Sequence, residues 1–244
     1  MSDITFFQPD YEEMTLPSNG YGPQKIKKIL IRPMTMAEER MLTNKSLLKS
    51  GKHIDAILTS CIKHGITEEG QTVPLSVENL LLEDEWAILL FLRAISYGRD
   101  YEIEVECPEC EKKEKHTVDI ETDINVKYAG PEIEKGITVT LPRSKKKVTM
   151  HLPTKKDVGK DVYETVVNCI ETSDSVEKNL IPMWMQSLPA HDVSVLRNAV
   201  NKVKWGADHS VKFVCQNKDC EKCGEPQKVG LPITSEFFRV STND

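Results

Sequence analysis

Tyr97-Gly98-Arg99-Asp100-Tyr101-Glu102-Ile103-Glu104-Val105-Glu106-Cys107 and Trp205-Gly206-Ala207-Asp208-His209-Ser210-Val211-Lys212-Phe213-Val214-Cys215 lie 108 residues apart and follow one plan: aromatic, glycine, aspartate, alternating strand, cysteine. The same offset pairs Cys61-Ile62 with Cys169-Ile170, Val73-Pro74 with Ile181-Pro182, Leu80 with Leu188, Asp84 with Asp192 and Ile95 with Val203. A helix that exits through aromatic-Gly into a strand is common. Gly, Asp and Cys keeping one register over so long a stretch favours an internal duplication. The fold-class reading is α+β, internally duplicated, with a strand, helices and a cysteine-knuckle hairpin in each half.

The knuckles carry the chemistry. Cys107-Pro108-Glu109-Cys110 is a C-x-x-C turn between alternating strands, and Cys215 to Cys223 is a longer turn holding Cys215, Cys220 and Cys223. Val118 lies 11 positions after Cys107 but Val229 lies 14 after Cys215, so the second turn is three residues longer. Two facing knuckles offer four sulfurs to a tetrahedral structural Zn²⁺, one per chain, in a zinc-ribbon-like site. Cys107, Cys110 and Cys215 are the first three candidate ligands, and either Cys220 or Cys223 is the fourth; alternatively Cys220 and Cys223, themselves a C-x-x-C pair, could displace Cys215. Gly224 after Cys223 suits a backbone turning its amides toward sulfur.

Other uses of these thiols fit less well. A redox C-x-x-C needs a helix N-terminus after its first cysteine to depress the thiol pKa, whereas Glu111 to Lys115 leads into the strand Thr117-Val118-Asp119-Ile120. Cys61 and Cys169 sit in apolar helical stretches and read as core. His116 is taken as a surface residue. Four thiolates leave a zinc no open position for water, and the sequence has no nucleotide-loop, nucleophile-elbow or H-E-x-x-H pattern, so no enzyme is expected.

Four segments follow. Residues 1–24 read as an irregular arm, broken by Pro9, Pro17, Gly20, Gly22 and Pro23 and carrying Phe6, Phe7, Tyr11 and Tyr21, that docks on a partner or wraps its own protein. Residues 25–123 form the first repeat: a strand from Lys25 to Arg32, a helix opened by the capping-box spacing Thr35 to Glu38 and running through about Lys49, a second helix from His53 to His64, and a largely buried helix from Ser76 or Val77 to Tyr97. Residues 124–136 are a linker. Residues 137–244 form the second repeat, with strands Ile137–Leu141 and Val148–Leu152 around the Lys145-Lys146-Lys147 turn, helices Lys155–Glu171 and Ala190–Trp205, and the last hairpin.

The 244 residues, net charge −6, suffice for one large core or two modest ones. No apolar run approaches the ~20 residues that cross a bilayer and Met1 to Asp10 lacks a leader pattern, so a cytoplasmic protein with reduced cysteines is expected. Interspersed charges, with Glu106, Glu109, Glu111, Asp219 and Glu221 around the knuckles, argue against a nucleic-acid face, and the triple lysine reads as a solvated turn. A nucleic-acid-binding zinc-ribbon regulator is the competing class.

The run Glu85-Trp86-Ala87-Ile88-Leu89-Leu90-Phe91-Leu92-Arg93-Ala94-Ile95-Ser96-Tyr97-Gly98, followed by a strand and Cys107-Pro108-Glu109-Cys110, resembles the T4-like phage baseplate hub assembly family. Leu16-Pro17-Ser18-Asn19-Gly20, Ile31-Arg32-Pro33-Met34-Thr35 with Glu38-Glu39, and the second knuckle before Phe237-Phe238 are similar as well, so the resemblance spans Leu16 to Arg239. The longer turn from Cys215 to Cys223 departs from a plain C-x-x-C. The resemblance implies a non-enzymatic subunit or assembly factor of the central hub of a contractile tail's baseplate. It would work in the host cytoplasm or the virion, with other tail and hub proteins as partners and no small-molecule substrate or membrane.

Overall fold

The computed structural model describes residues 9–173, 176–202, 204–221, 224–233 and 237–238. Its first half begins with β1 (Glu12–Thr15) and β2 (Ile26–Ile31), then α1 (Met36–Thr43), α2 (Lys45–Ser50), α3 (His53–Cys61), β3 (Ile62–Thr67) and β4 (Thr72–Val73). It ends with α4 (Leu82–Tyr97) and the hairpin β5 (Asp100–Glu106) and β6 (Lys113–Asp119). The chain continues through β7 (Val126–Lys127), β8 (Ile137–Thr140), β9 (Lys147–Met150), α5 (Val162–Cys169), β10 (Ile170–Ser173), α6 (Ile181–Ser187), α7 (Ala190–Asn201), β11 (Gly206–Ala207), β12 (Ser210–Val214) and β13 (Pro226–Gly230). The architecture is α+β. Strands β1-β2-β3-β4 form one antiparallel sheet, β10-β9-β8 another, and β5-β6, β12-β13 and β11-β7 pair as ribbons.

The arm and the linker differ from their sequence reading. Glu12–Thr15 is an edge strand, paired from Glu12↔Ile31 to Thr15↔Lys28, so this part of the arm wraps its own sheet. Phe6 and Phe7 lie outside the described residues. Within the expected linker, Val126 and Lys127 pair with Ala207 and Gly206, and Pro131–Lys135 forms a 3₁₀ turn. The strand partners of β1 and β7 come from elsewhere in the chain, which local Pro and Gly content does not reveal.

The helix expected through about Lys49 divides at Asn44 into α1 and α2, the one expected through Trp205 ends at Asn201, and three further helices are shortened by long-range pairing. The helix expected through His64 stops at Cys61, and Ile62–Thr67 pairs with β2 instead. Gly65 permits that pairing, because a Cβ there would meet the Ile26 side chain at 2.5 Å. The helix expected through Glu171 becomes a 3₁₀ turn at Lys155–Asp157, then α5, then β10 on β9. In the helix expected from Val77, Leu80 and Leu81 are extended: Leu82 donates its amide to the Pro153 carbonyl at 3.1 Å and Leu80 accepts from Lys155 at 2.9 Å. The capping box at Thr35 is present, and the Glu38 carboxylate that closes it also takes both Arg32 guanidinium nitrogens, at 2.9 and 3.2 Å.

Two cores result. The larger takes Ile29, Ile31, Leu58, Ile88 and Leu92 together with Tyr101, Ile103 and Val105 of β5 and Val211, Phe213 and Val229 of β12 and β13. The second knuckle hairpin therefore packs against the first, within the first half's core. The smaller core gathers Leu141, Val148, Met150, Val166, Cys169, Leu196 and Val200. Between them lie Leu81, Ala129 and Trp205, with Lys155 Nζ bonded to Glu85 at 2.5 Å. Trp86 stacks on His209 with centroids 4.7 Å apart, and the Glu83 carboxylate 2.9 Å from the imidazole raises the His209 pKa.

Asp84, in the first turn of α4, is buried and accepts the Ser18 amide at 2.8 Å. Burial outweighs that bond and pushes its carboxyl up to about 6, from 3.8. A raised folded-state pKa stabilises below the unfolded value, and this stabilisation is lost as pH rises through about 6. Asp84→Asn keeps an acceptor oxygen for Ser18. It is expected to raise the thermal midpoint at pH 8, by at most about 3 kcal/mol of stability, with little effect at pH 4. Equal shifts at both pH values in thermal unfolding would contradict burial of the charge as the cause.

Candidate metal centre

Alternation builds the two walls of the site. On β5, Tyr101, Ile103 and Val105 face the core while the glutamates between them face out, and β12 buries Val211 and Phe213 in the same way. Each strand thus delivers its terminal cysteine, Cys107 or Cys215, to one buried end of the larger core.

The turns then fold back. Cys107 donates its amide to the Lys112 carbonyl at 3.0 Å, and Glu111, at φ +57°, donates to the Cys107 carbonyl at 2.9 Å. In the second turn Gly224, at φ +81°, donates to the Cys215 carbonyl at 3.3 Å, and Cys220 donates to the Asn217 carbonyl at 3.0 Å. Glycine reaches that φ without strain, which explains Gly224 at the end of the longer turn.

Cys107, Cys110, Cys215 and Cys220 have sulfurs that all lie within 4.8 Å of one another. Two opposite edges of the group, Cys107 to Cys220 and Cys110 to Cys215, measure 3.8 Å. A disulfide would need ~2.05 Å. Sulfurs bound tetrahedrally at ~2.3 Å to zinc stand about 3.8 Å apart, so the cluster has the size of a four-thiolate site. Cys220 fills the fourth corner, and Cys223 lies outside the described residues. Cys61 and Cys169 are buried in the two separate cores. His116 sits edge-on to Phe213, at 5.7 Å between ring centroids, and is not part of the cluster.

The electrostatics favour a bound cation. The Cys110 amide, then that of Glu109 and the neighbouring thiols, hold the Cys107 thiol down at about 6 against burial. The Asn217 amide lowers Cys215, but burial and the adjacent sulfurs outweigh it and push that thiol up to about 12. One thiolate forms easily and the next resists, because like charges crowd one buried space. A dication removes the conflict.

Two amide side chains absent from the sequence reading also face the sulfurs. Asn217 donates its backbone amide to Cys215 at 3.4 Å and its side-chain amide to Cys110 at 3.5 Å, and Gln227 Nε2 is 3.6 Å from Cys107. Asn217 lies inside the turn, two residues after Cys215. Gln227 comes from β13, opposite Phe213, and only strand register brings it there.

The profile of the T4 bacteriophage base plate protein family matches residues 8–239, nearly the whole chain. The chain belongs to this family. No curated protein and no solved structure matches it. The family match takes in both knuckles of this baseplate protein, and no helix among the described residues is long and apolar enough to cross a membrane.

Amides that donate to thiolates orient them and offset their charge. Gln227→Ala and Asn217→Ala are each expected to weaken metal binding about 10- to 100-fold, read by competition with a chromophoric chelator. Unchanged affinity in both would show that these amides only fill space.

Proposed function

We propose that this baseplate protein is a non-enzymatic subunit or assembly factor of the baseplate hub, whose two related halves are stapled by one structural Zn²⁺. The observation that carries the reading is the four-sulfur cluster, which joins hairpins 105 to 113 residues apart in a chain matched to the baseplate family across both of them. Cys107, Cys110, Cys215 and Cys220 are the proposed ligands. All four positions go to thiolates, so the metal would bind no water to activate and would serve as a rigid cross-link.

Several correspondences at the 108-residue offset support a duplicated origin. Cys61 and Cys169 each end a helix whose next residue, Ile62 or Ile170, starts a strand. Gly98 and Gly206 both have positive φ, +91° and +105°. Asp84 and Asp192 are both buried and accept backbone amides from the loop of their own half's first hairpin, Ser18 in one case and Arg143 and Ser144 in the other.

Exposed Glu106, Glu109, Glu111, Asp219 and Glu221 around the knuckles favour protein over nucleic-acid partners. The proposed partners are other tail and hub proteins, met in the host cytoplasm during assembly and in the virion if the protein stays in the tail.

Purified protein is expected to lose one zinc per chain on Cys107→Ser, Cys215→Ser or Cys220→Ser and to keep it on Cys223→Ser. The Cys107/Cys215 double variant should cost little more stability than either alone, since one site is broken once. The hub role is tested in infection: a nonsense mutation in this gene should yield incomplete baseplates by electron microscopy, rescued by the wild-type protein in trans. Complete tails from the mutant would refute it.

A further inference from the structure

The smaller core carries a second group of metal-type donors, apart from the knuckles. His151, Asp157 and Cys169 each present one ligand atom, and all three atoms lie within 4.8 Å of one another. His151 follows β9, Asp157 closes the 3₁₀ turn and Cys169 ends α5. We propose that these three side chains form a second metal site, binding a divalent first-row transition ion of the Zn²⁺ type with one position open to solvent.

The first half shows what this place in the fold requires. There the sequence Arg32-Pro33-Met34-Thr35 sets a cation three residues before a capping Thr, with Glu38 three residues after it. The Arg32 guanidinium grips both oxygens of the buried Glu38 carboxylate, and Cys61 lies next in the core. The second half repeats the two three-residue steps as His151-Leu152-Pro153-Thr154 and Asp157, 119 positions on, and Cys169, 108 positions after Cys61, again ends the helix before a strand. As Glu38 takes the amide and hydroxyl of Thr35, Asp157 takes the Thr154 amide at 2.9 Å and its hydroxyl at 2.5 Å. Its nitrogen partner, however, is an imidazole that reaches one oxygen through Nε2 at 3.0 Å. A shorter, single-point donor thus replaces the fork of an arginine beside a carboxylate and a thiol.

The surroundings match those of a metal-binding histidine. His151 Nδ1 faces the Glu171 carboxylate at 3.7 Å, so the second ring nitrogen has a carboxylate neighbour while Nε2 points at Asp157. At 3.7 Å the Glu171 contact is longer than a hydrogen bond, but it sets a carboxylate on the side of the ring away from Asp157, where metal-bound histidines commonly carry one, and the Thr154 bonds orient Asp157. Nitrogen, oxygen and sulfur donors together suit zinc and its neighbours, not magnesium or calcium. Access comes from one side: the His151 side chain is 33% exposed and, with Asp157 and Glu171, lines a cleft of about 590 Å³, whereas Cys169 is fully buried. Three protein ligands and an open fourth position contrast with the closed four-sulfur knuckle site.

His151→Arg separates metal binding from folding, because it recreates the Arg32–Glu38 pair of the other half. The full-length variant is expected to unfold no earlier than wild type after both are stripped with a chelator. On reloading with Zn²⁺ and gel filtration, wild type should hold one more zinc per chain than His151→Arg, by elemental analysis. Cys169→Ala should lose the same ion. In cobalt-loaded protein, the wild-type minus His151→Arg difference spectrum should show a site with a single thiolate. Equal zinc contents in wild type and His151→Arg would overturn the proposal, as would loss of all bound zinc on Cys107→Ser alone. The knuckle site is judged separately: if Cys107→Ser and Cys215→Ser keep all their metal while His151→Arg loses one ion, the four-thiolate reading falls and this one stands.

Discussion

Four sulfurs from two hairpins must share one buried space, and the rest of the structure is arranged around that meeting. Cys107 and Cys220 touch across 113 residues of chain. Closing a loop of that order costs conformational entropy that grows slowly with length, and in the chain-entropy model a covalent link across it contributes roughly 4–5 kcal/mol. Packing supplies part of what holds it shut. Tyr101, Ile103 and Val105 meet Val211, Phe213 and Val229 in the larger core, so the two ribbons adhere along their apolar faces up to the knuckles. The crowded thiols push back, Cys215 upward in pKa and Cys107 downward, and a metal would turn this repulsion into attraction.

The second hairpin belongs by sequence to the second half and by contact to the first half's core. The smaller core is joined to the larger one through directional links: backbone bonds from Leu82 to Pro153 and from Lys155 to Leu80, Lys155 on Glu85 and Asp55, and Lys156 on Asn79. Leu80 and Leu81 give up helical structure to make these bonds.

The two helix-to-strand junctions show how one local plan takes different chemistry. After β2 and β9 both halves place a nitrogen side chain, a capping Thr and an acid in three-residue steps, with a buried Cys near the acid, but the nitrogen side chain is Arg32 in one and His151 in the other. A guanidinium fork satisfies a buried carboxylate completely, whereas an imidazole satisfies half of it and keeps a lone pair for other uses.

Much of this was legible in the chain. The alternation of β5 and β12, the C-x-x-C turn, the capping box at Thr35 and the apolar settings of Cys61 and Cys169 are local patterns, and local physics fixes them: side-chain period, turn sterics, burial of a small thiol. The sequence also narrowed the cluster to five cysteines. Only the tertiary structure brought Cys220 to the fourth corner, set Gln227 beside Cys107, turned Ile62 and Ile170 from helix into strand, and broke α4 at Leu81. Each of those outcomes depends on a hydrogen-bond or sulfur partner that lies far along the chain, and no local periodicity records where that partner will be.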